Sequence, residues 1–364
     1  MVPRIILITG ATGFVGKHLQ EAIVQRMPNA RLCLMDHPSS GICGAGITVE
    51  YEDETFRVSA DLTCNEDSRL ALEALAKKVG VPDMVFHLAA RAEVARSLRA
   101  PSDTYNTNVV GTARLLEALS DLTNTCRVLI PSSAQVYAAA ALGAPAAGAA
   151  APSETAGPTA PEPTAPPDTT RLLNEAAPIG PSSHYGVSKF AQEEVGRLFY
   201  KTTGLPVLIT RAFNHTGPGQ STGFVVPDFA RQIALLEREA VAARARVGNL
   251  DTRRDYLDVR DVVDAYLVVM EQGEPGRPYN VASGITWSAR ELLHMLTEMA
   301  NVEVEIEVDQ RLVRPLDVSY SAGDATRLRA LGWTPSRDIR DTIKETLDYW
   351  RRMTGARLKP RRAL

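Results

Sequence analysis

The octet Thr9-Gly10-Ala11-Thr12-Gly13-Phe14-Val15-Gly16 restricts this chain more than any other stretch. It follows a nearly continuous β-branched run over residues 4–9, which reads as a buried parallel strand, and it precedes helical apolar spacing over residues 17–27. A strand, a glycine turn and a helix in that order let a pyrophosphate sit on the helix N-terminus, where free N–H groups and the helix dipole favour an anion. Gly10, Gly13 and Gly16 supply the turn, and Thr12, Phe14 and Val15 stand beside them as cofactor contacts. The fold class expected is α/β: a Rossmann-type doubly wound parallel sheet with a smaller α/β C-terminal lobe that binds substrate.

A second strand over residues 31–35 ends in Asp36, about 20 residues past the turn, where a carboxylate accepts hydrogen bonds from adenosine ribose hydroxyls and repels a 2′-phosphate. NAD(H) is therefore favoured; NADP(H) stays open because His37 is adjacent. Residues 56–59 read as a third strand leading to Asp61 and Leu62. Two readings stand for Asp61: a contact along the adenine, or the N-cap of a helix over residues 65–79. A fourth strand over residues 84–88 ends at Leu88, Ala89 and Ala90, small enough there for a cofactor to pass close by. Residues 105–120 form a helix in which Asn108 and Gly111 are poor interior formers, giving Asn108 a packing or site role. The fifth strand, residues 128–131, delivers Ser133 to the carboxyl edge of the sheet, where ligands bind and a serine can polarise a carbonyl.

Tyr185 and Lys189 sit one helical turn apart, so a phenol and an ammonium share a face. A nearby cation favours the phenolate, and the pair is expected to lower the tyrosine pKa and move a proton to or from a carbonyl oxygen. Between Ser133 and this helix, residues 138–170 turn to alanine, proline, glycine and threonine, an insertion readable as a lid or as inert low-complexity chain. A sixth strand over residues 206–211 leads to a polar loop containing Asn214. Helices follow over residues 226–238, 259–271, 288–300 and 339–353. Residues 1–212 are expected to bind the cofactor, 213–354 to form most of the substrate lobe, and 355–364 to be a basic tail.

With 364 residues and a net charge of −3, the chain offers no global attraction to nucleic acid or to an anionic membrane. Cys33, Cys43, Cys64 and Cys126 lack metal-ligand spacing, so no metal site is expected and all four are read as reduced. No secretory signal or membrane-spanning run is read, and a cytoplasmic compartment follows as the expectation.

In order, the Thr9 to Gly16 turn, Asp36, Asp61-Leu62, His87-Leu88-Ala89-Ala90, Asn108, Ser133 and Tyr185-Gly186-Val187-Ser188-Lys189 resemble the extended short-chain dehydrogenase/reductase family, in its sugar-nucleotide branch. Within that branch, Arg211-Ala212-Phe213-Asn214-His215-Thr216-Gly217-Pro218-Gly219-Gln220, Arg254-Asp255-Tyr256 and Arg314-Pro315 are similar to GDP-mannose 4,6-dehydratases and, more closely, to GDP-4-keto-6-deoxy-D-mannose reductases. The resemblance implies an NAD(P)-dependent oxidoreductase, a homodimer packed through the helices near Asn108 and Tyr185, and a GDP-sugar substrate. Gln135, Asn214, Val225, Arg254, Arg314 and Asp317 are the substrate contacts it implies, with Asp317 where the family often carries a glutamate. The 4,6-dehydratases place a glutamate two residues before the tyrosine that here is Tyr137; Gln135 stands there instead, and an amide cannot abstract a proton. The expected reaction is therefore reduction of GDP-4-keto-6-deoxy-D-mannose to GDP-D-rhamnose. An NAD-dependent 4-epimerase is the alternative, ahead of a dehydratase or a non-catalytic nucleotide-sugar sensor.

Overall fold

The computed structural model describes residues 4–38, 47–64, 66–138, 172–239, 243–313 and 320–356. Strand β1 (Ile5–Thr9) is apolar and almost wholly buried, and it runs through Gly10 into helix α1 (Phe14–Arg26), which starts inside the glycine motif rather than after it. Strands β2 (Arg31–Asp36), β3 (Val49–Glu52) and β4 (Thr55–Ser59) follow, then helix α2 (Asp67–Lys78) and strand β5 (Met84–His87). Next come helices α3 (Val94–Arg99) and α4 (Pro101–Tyr105), a single π-helical turn at Asn106–Val110, and helix α5 (Gly111–Leu122). The one helix expected over residues 105–120 is thus two α-helical pieces joined through a widened turn that carries Asn108. Strand β6 (Arg127–Ser133), helix α6 (His184–Thr203) and strand β7 (Val207–Ala212) complete the sequential part of the main sheet.

The C-terminal part adds strand β8 (Asn214–Thr216), helix α7 (Val225–Glu239), strands β9 (Ala243–Val247) and β10 (Arg253–Asp258), helix α8 (Val259–Gln272) and strand β11 (Pro278–Val281). It ends with strand β12 (Thr286–Ser288), helix α9 (Ala289–Glu298), strands β13 (Val304–Val308) and β14 (Tyr320–Ser321), and helices α10 (Thr326–Arg329) and α11 (Ile339–Thr354). Local chemistry sets several of these boundaries. Ser288 and Glu291 form a reciprocal capping box at α9, and Gly204 ends α6 in the left-handed region at φ 78°.

The main sheet has the order β11-β7-β6-β5-β1-β2-β4-β3, parallel throughout except for the β3–β4 pair at its edge. Chain order reverses on either side of β1, so the crevice between the carboxyl ends of β1 and β5 is the switch point at which such sheets bind ligands. One face is covered by α1 and α8, whose Leu19, Ile23, Val262 and Tyr266 pack on Ile6, Ile8 and Phe86. The other is covered by α2 and α5 through Leu72, Leu75, Leu115 and Leu119 against Leu7, Val85 and Val128. Each such side chain, fully removed from water, contributes about 1.5–3 kcal/mol before entropy is charged against it. A third core joins α7, α9 and α11 around Phe229, Leu292 and Leu347.

The insertion lies outside the described residues, which resume at Leu172. Its flanks are tied together: Tyr137 bridges Ile179, and the Ala138 amide donates to the Pro178 carbonyl at 2.8 Å. Arg314 and Asp317 also lie outside the described residues. The reading of four reduced cysteines is corrected. Cys33 and Cys126 are free and buried, but Cys64 is disulfide-bonded. Separation along the chain gave no measure of separation in the fold.

Candidate active site

The glycine turn is shaped by contact with the neighbouring strand. Gly10 has φ +68°, and a Cβ there would stand 2.8 Å from the Ala89 Cα, so no other residue fits without moving the end of β5. That close approach brings the backbone of Leu88 and Ala89 against the turn. Thr12 donates both its backbone N–H and its hydroxyl to Asp36 Oδ1, each at 2.9 Å, which fixes the carboxylate across the mouth of the turn. Phe14 opens α1, Val15 packs on the core below it, and Gly13 is the extended N-cap, with no side chain to satisfy the first helical N–H groups. An exposed turn of small residues ahead of a helix, with a carboxylate held at its rim, fits a dinucleotide.

Asp61 is not the cap of α2, which begins at Asp67 behind Glu66. Its carboxylate instead accepts the Thr63 N–H at 2.8 Å and the Thr63 hydroxyl at 2.7 Å, and its Oδ2 lies 3.4 Å from His37 Nε2. Burial works to raise the Asp61 pKa, but the Thr63 bonds and the histidine together hold it below the usual carboxylate range. Asp61, His37 and Asp36 therefore form one polar rim at the end of β2, and Leu62 turns inward to the core under Gly111.

Asn108 is fully buried. Its Oδ1 accepts the Arg91 amide at 2.7 Å, and its Nδ2 donates to the Arg91 carbonyl and, at 2.9 Å, to the Ser188 hydroxyl. The widened helical turn thus positions a side chain that ties the loop after β5 to α6, a brace rather than a free donor at the site.

Ser133, Tyr185 and Lys189 are brought together from β6 and α6. Ser133 caps a short 3₁₀ turn, Ala134–Val136, accepting the Gln135 N–H, and its side chain lies near enough to the Tyr185 phenol to lower its pKa. Helix α6 approaches this turn closely because position 186 is glycine: a Cβ there would lie 2.5 Å from the Gln135 carbonyl oxygen. Ser183 caps the helix by accepting the Gly186 amide. Lys189 Nζ donates to the Pro131 carbonyl at 2.7 Å and to Gln192 Oε1 at 2.8 Å.

The electrostatics differ from expectation. Burial pushes the Tyr185 phenol up to about 12, with Ser133 pulling the other way; the lowering expected from Lys189 is not among the influences on it. Burial pulls Lys189 down to about 7, opposed by Glu193. The physical reason is the same for both: each group is excluded from water, and desolvation of its charged form is the largest influence on it. A neutral phenol of this kind is a proton donor, and the lysine charge is balanced near neutrality.

Of the expected substrate residues, Gln135 lies half-buried beside Ser133, while Asn214 is exposed at the start of β8 and Val225 exposed at the start of α7. Asn214 pairs with Tyr256 of β10, two residues beyond half-buried Arg254, so Asn214 and Arg254 belong to neighbouring strands of one small sheet. A group missed from sequence lies directly behind the site. Arg211, 3% exposed, makes two 2.9 Å bonds to the wholly buried Glu193 and stacks on Tyr137 with its guanidinium 5.0 Å from the ring centroid. The Tyr137 hydroxyl donates to Asn280 Oδ1 at 2.6 Å, which links β6, α6, β7 and β11. Arg211 opened a noted motif, but its partner eighteen residues earlier on α6 carried no signal of its own.

Residues 6–282 match the NAD dependent epimerase/dehydratase family. The chain belongs to that family. Like other members of the NAD dependent epimerase/dehydratase family it has close relatives with assigned reactions. It is 32% identical to the GDP-6-deoxy-D-mannose reductase of Pseudomonas aeruginosa, over 95% of this chain and 96% of that one. It is 25% identical to the GDP-6-deoxy-D-talose 4-dehydrogenase of Aggregatibacter actinomycetemcomitans, over 89% of each. The solved structure of RMD from Pseudomonas aeruginosa complexed with NADPH superposes with a TM-score of 0.74 at 31% identity, covering 97% of this chain and 99% of that one. The resemblance drawn from sequence motifs and the α/β fold class both hold. Among the described residues no helix is long and apolar enough to cross a membrane.

Proposed function

We propose that the chain is a nicotinamide-dependent reductase of a nucleotide-linked 4-keto-6-deoxysugar, with GDP-4-keto-6-deoxy-D-mannose as substrate and GDP-D-rhamnose as product. The observation that carries this reading is the cluster of half-buried Ser133 with buried Tyr185 and Lys189, with Gln135, not a carboxylate, beside it. The GDP-6-deoxy-D-mannose reductase relative supports the choice of sugar nucleotide.

The turn from Gly10 to Val15, the Asp36 and Asp61 rim, and Leu88 to Ala90 would hold the dinucleotide, and Lys189 its nicotinamide ribose. Bound there, a reduced nicotinamide supplies hydride to the sugar carbonyl carbon. The chain supplies the rest. Tyr185, a neutral phenol because burial holds its pKa near 12, donates its proton to the carbonyl oxygen as that oxygen gains charge. Ser133 hydrogen-bonds the same oxygen, and the Lys189 ammonium offsets the tyrosinate left behind. Solvent returns a proton to Tyr185. Elimination of water would need a base for the sugar C5 proton, and Gln135 cannot serve.

The substrate diphosphate and nucleoside would be held by Asn214, Val225 and Arg254, joined by Arg314 and Asp317. Asp36 supports NADH over NADPH by charge, whereas the RMD structure that is similar to this chain holds NADPH; the His37 imidazole at the rim offers ring N–H hydrogen bonding to a 2′-phosphate. Asp36 also favours the second reading, a 4-epimerase that keeps its NAD. Coenzyme oxidation by purified protein, followed with NADH and NADPH against 4-keto-6-deoxysugars linked to GDP, UDP or dTDP, tests the proposal. Oxidation with the GDP sugar supports it. Oxidation only with another nucleotide replaces the substrate, and turnover of a 4-hydroxy sugar nucleotide without net oxidation replaces the reaction.

A further inference from the structure

Lys189 is the end of a chain of buried polar groups that the reaction itself does not use. From Lys189 Nζ the contacts run to Gln192 Oε1 at 2.8 Å, from Gln192 Nε2 to Thr112 Oγ1 at 2.7 Å, and from Thr112 Oγ1 to His87 Nε2 at 2.8 Å. They continue from His87 Nδ1 to Thr9 Oγ1 at 2.8 Å, and Thr9 Oγ1 accepts the Ala89 amide at 3.2 Å. Thr9, His87, Thr112 and Gln192 are each at most 1% exposed, and Lys189 4%. Leaving such groups unpaired away from water is costly, so the chain has strong reason to stay whole.

The contacts admit one arrangement of protons. The Thr112 hydroxyl donates to the Asn108 carbonyl at 2.7 Å, so its oxygen is left to accept from both Gln192 and His87. His87 must then carry its proton on Nε2 and accept the Thr9 hydroxyl proton on Nδ1, while Thr9 accepts from Ala89. A neutral histidine is required, and burial together with the Lys189 charge holds the His87 pKa down to about 3. With the amide of Gln192 donating at its far end, its carbonyl oxygen can face only the lysine. The chain therefore fixes the direction of that acceptor from the carboxyl ends of β1 and β5, next to the glycine turn.

We infer that Gln192, Thr112 and His87 are positioning residues that favour the ammonium form of Lys189 and aim it at the coenzyme, by coupling it to the backbone beside the coenzyme turn. Lys189 has three donors; Pro131 and Gln192 take two, and the third is left for a ribose hydroxyl. The titratable groups around the ammonium are Glu193 on α6, His87 on β5 and Tyr185 one turn earlier on α6. Glu193 is already engaged with Arg211 and Arg197, which leaves the Gln192 and Pro131 oxygens as its direct acceptors among the described residues.

The inference rests on the reading that Lys189 contacts the coenzyme, and its test needs no sugar, so a wrong sugar assignment leaves it standing. NADPH and NADH dissociation constants are measured by fluorescence across a pH series for the parent, Gln192→Leu, Gln192→Glu, Thr112→Val and Thr112→Ser. In the parent, affinity falls as pH rises through Lys189 deprotonation. Gln192→Leu removes an acceptor that favours the ammonium, and the fall is expected about one pH unit lower; Gln192→Glu loses the donor toward Thr112 but sets a full negative charge beside Lys189, which outweighs that loss, and the fall is expected about one unit higher. Thr112→Val breaks the chain without touching Lys189 and should follow Gln192→Leu, while Thr112→Ser keeps the parent profile. Opposite displacements with serine rescue support the inference. Parent-like profiles in Gln192→Leu and Thr112→Val, or displacement of all variants in one direction, overturn it. If the glutamate variant does not fold, the Thr112 pair decides by the same criterion.

Discussion

In the proposed reaction Tyr185 works as an acid because it is kept out of water, not because a cation sharpens it. With its pKa near 12 the phenol stays protonated across the physiological range and has a proton to give. Tyr185→Phe removes that proton and leaves the ring. Turnover is expected to fall by about 10²–10⁴-fold with coenzyme binding retained, measured by steady-state oxidation and fluorescence titration; near-parent turnover would assign the proton to another group. His87 gives a residue-scale prediction on stability. Its folded pKa is lowered from 6.5 to about 3, so between those values the unfolded chain binds more protons. Stability from this group is complete above the unfolded value and is lost as pH falls toward the folded one, by about 1.4 kcal/mol per pH unit. His215, also lowered by burial, acts in the same sense. Urea unfolding between about pH 7 and pH 5 should show this slope, and His87→Gln should remove part of it; an unchanged slope would contradict a buried neutral histidine. At this scale Ser133, Tyr185 and Lys189 were legible because each sits at a strand end or on one helical face. The partners that set their properties were not, since Asn108 reaches Arg91 and Ser188, and Arg211 reaches Glu193, only after the sheet has closed.

At the level of elements, the approach of α6 to the 3₁₀ turn after β6 is what converts sequence motifs into a site. Gly186→Ala places a methyl group 2.5 Å from the Gln135 carbonyl. That turn would have to shift, carrying Ser133 away from Tyr185, and a loss of about 1–3 kcal/mol in stability is expected with a larger loss of turnover than of coenzyme affinity. Equal losses in both would show that the glycine serves packing alone. Behind the same turn, Arg211→Met leaves Glu193 buried with only Arg197 for a partner. Denaturant unfolding should report a loss of about 3–5 kcal/mol, and a change below about 1 kcal/mol would mean the pair is not integral to the fold. Strand and helix existence followed well from periodicity, most closely for α7, α8, α9 and α11. The π-helical turn at Asn106–Val110 was visible only as a stretch of poor helix formers, and the edge strand β3, polar and exposed, had no apolar pattern to show it. The short strands β8, β12 and β14 depend on long-range pairing with β10, which no local window contains.

Across the whole molecule, one ligand-binding edge organises the rest. The glycine turn predicts the switch point between β1 and β5, the sheet order delivers β6 and its serine beside it, and the return of β11 to the sheet ties residues beyond 212 into the coenzyme half. The division at residue 212 is therefore a proposal about binding roles rather than about separate cores, since α8 and Tyr279 lie in the same core as β1. The small sheet around β10 sets Asn214 and Arg254 on neighbouring strands, where the proposed function puts the nucleoside diphosphate. The most direct test of the proposed reaction is to supply coenzyme deuterated at the transferable position with GDP-4-keto-6-deoxy-D-mannose and to read the product by NMR. The account predicts one coenzyme oxidised per sugar, deuterium at C4 and a GDP-linked 6-deoxyhexose. A product without deuterium, or coenzyme left unoxidised while the 4-keto sugar is consumed, would contradict it.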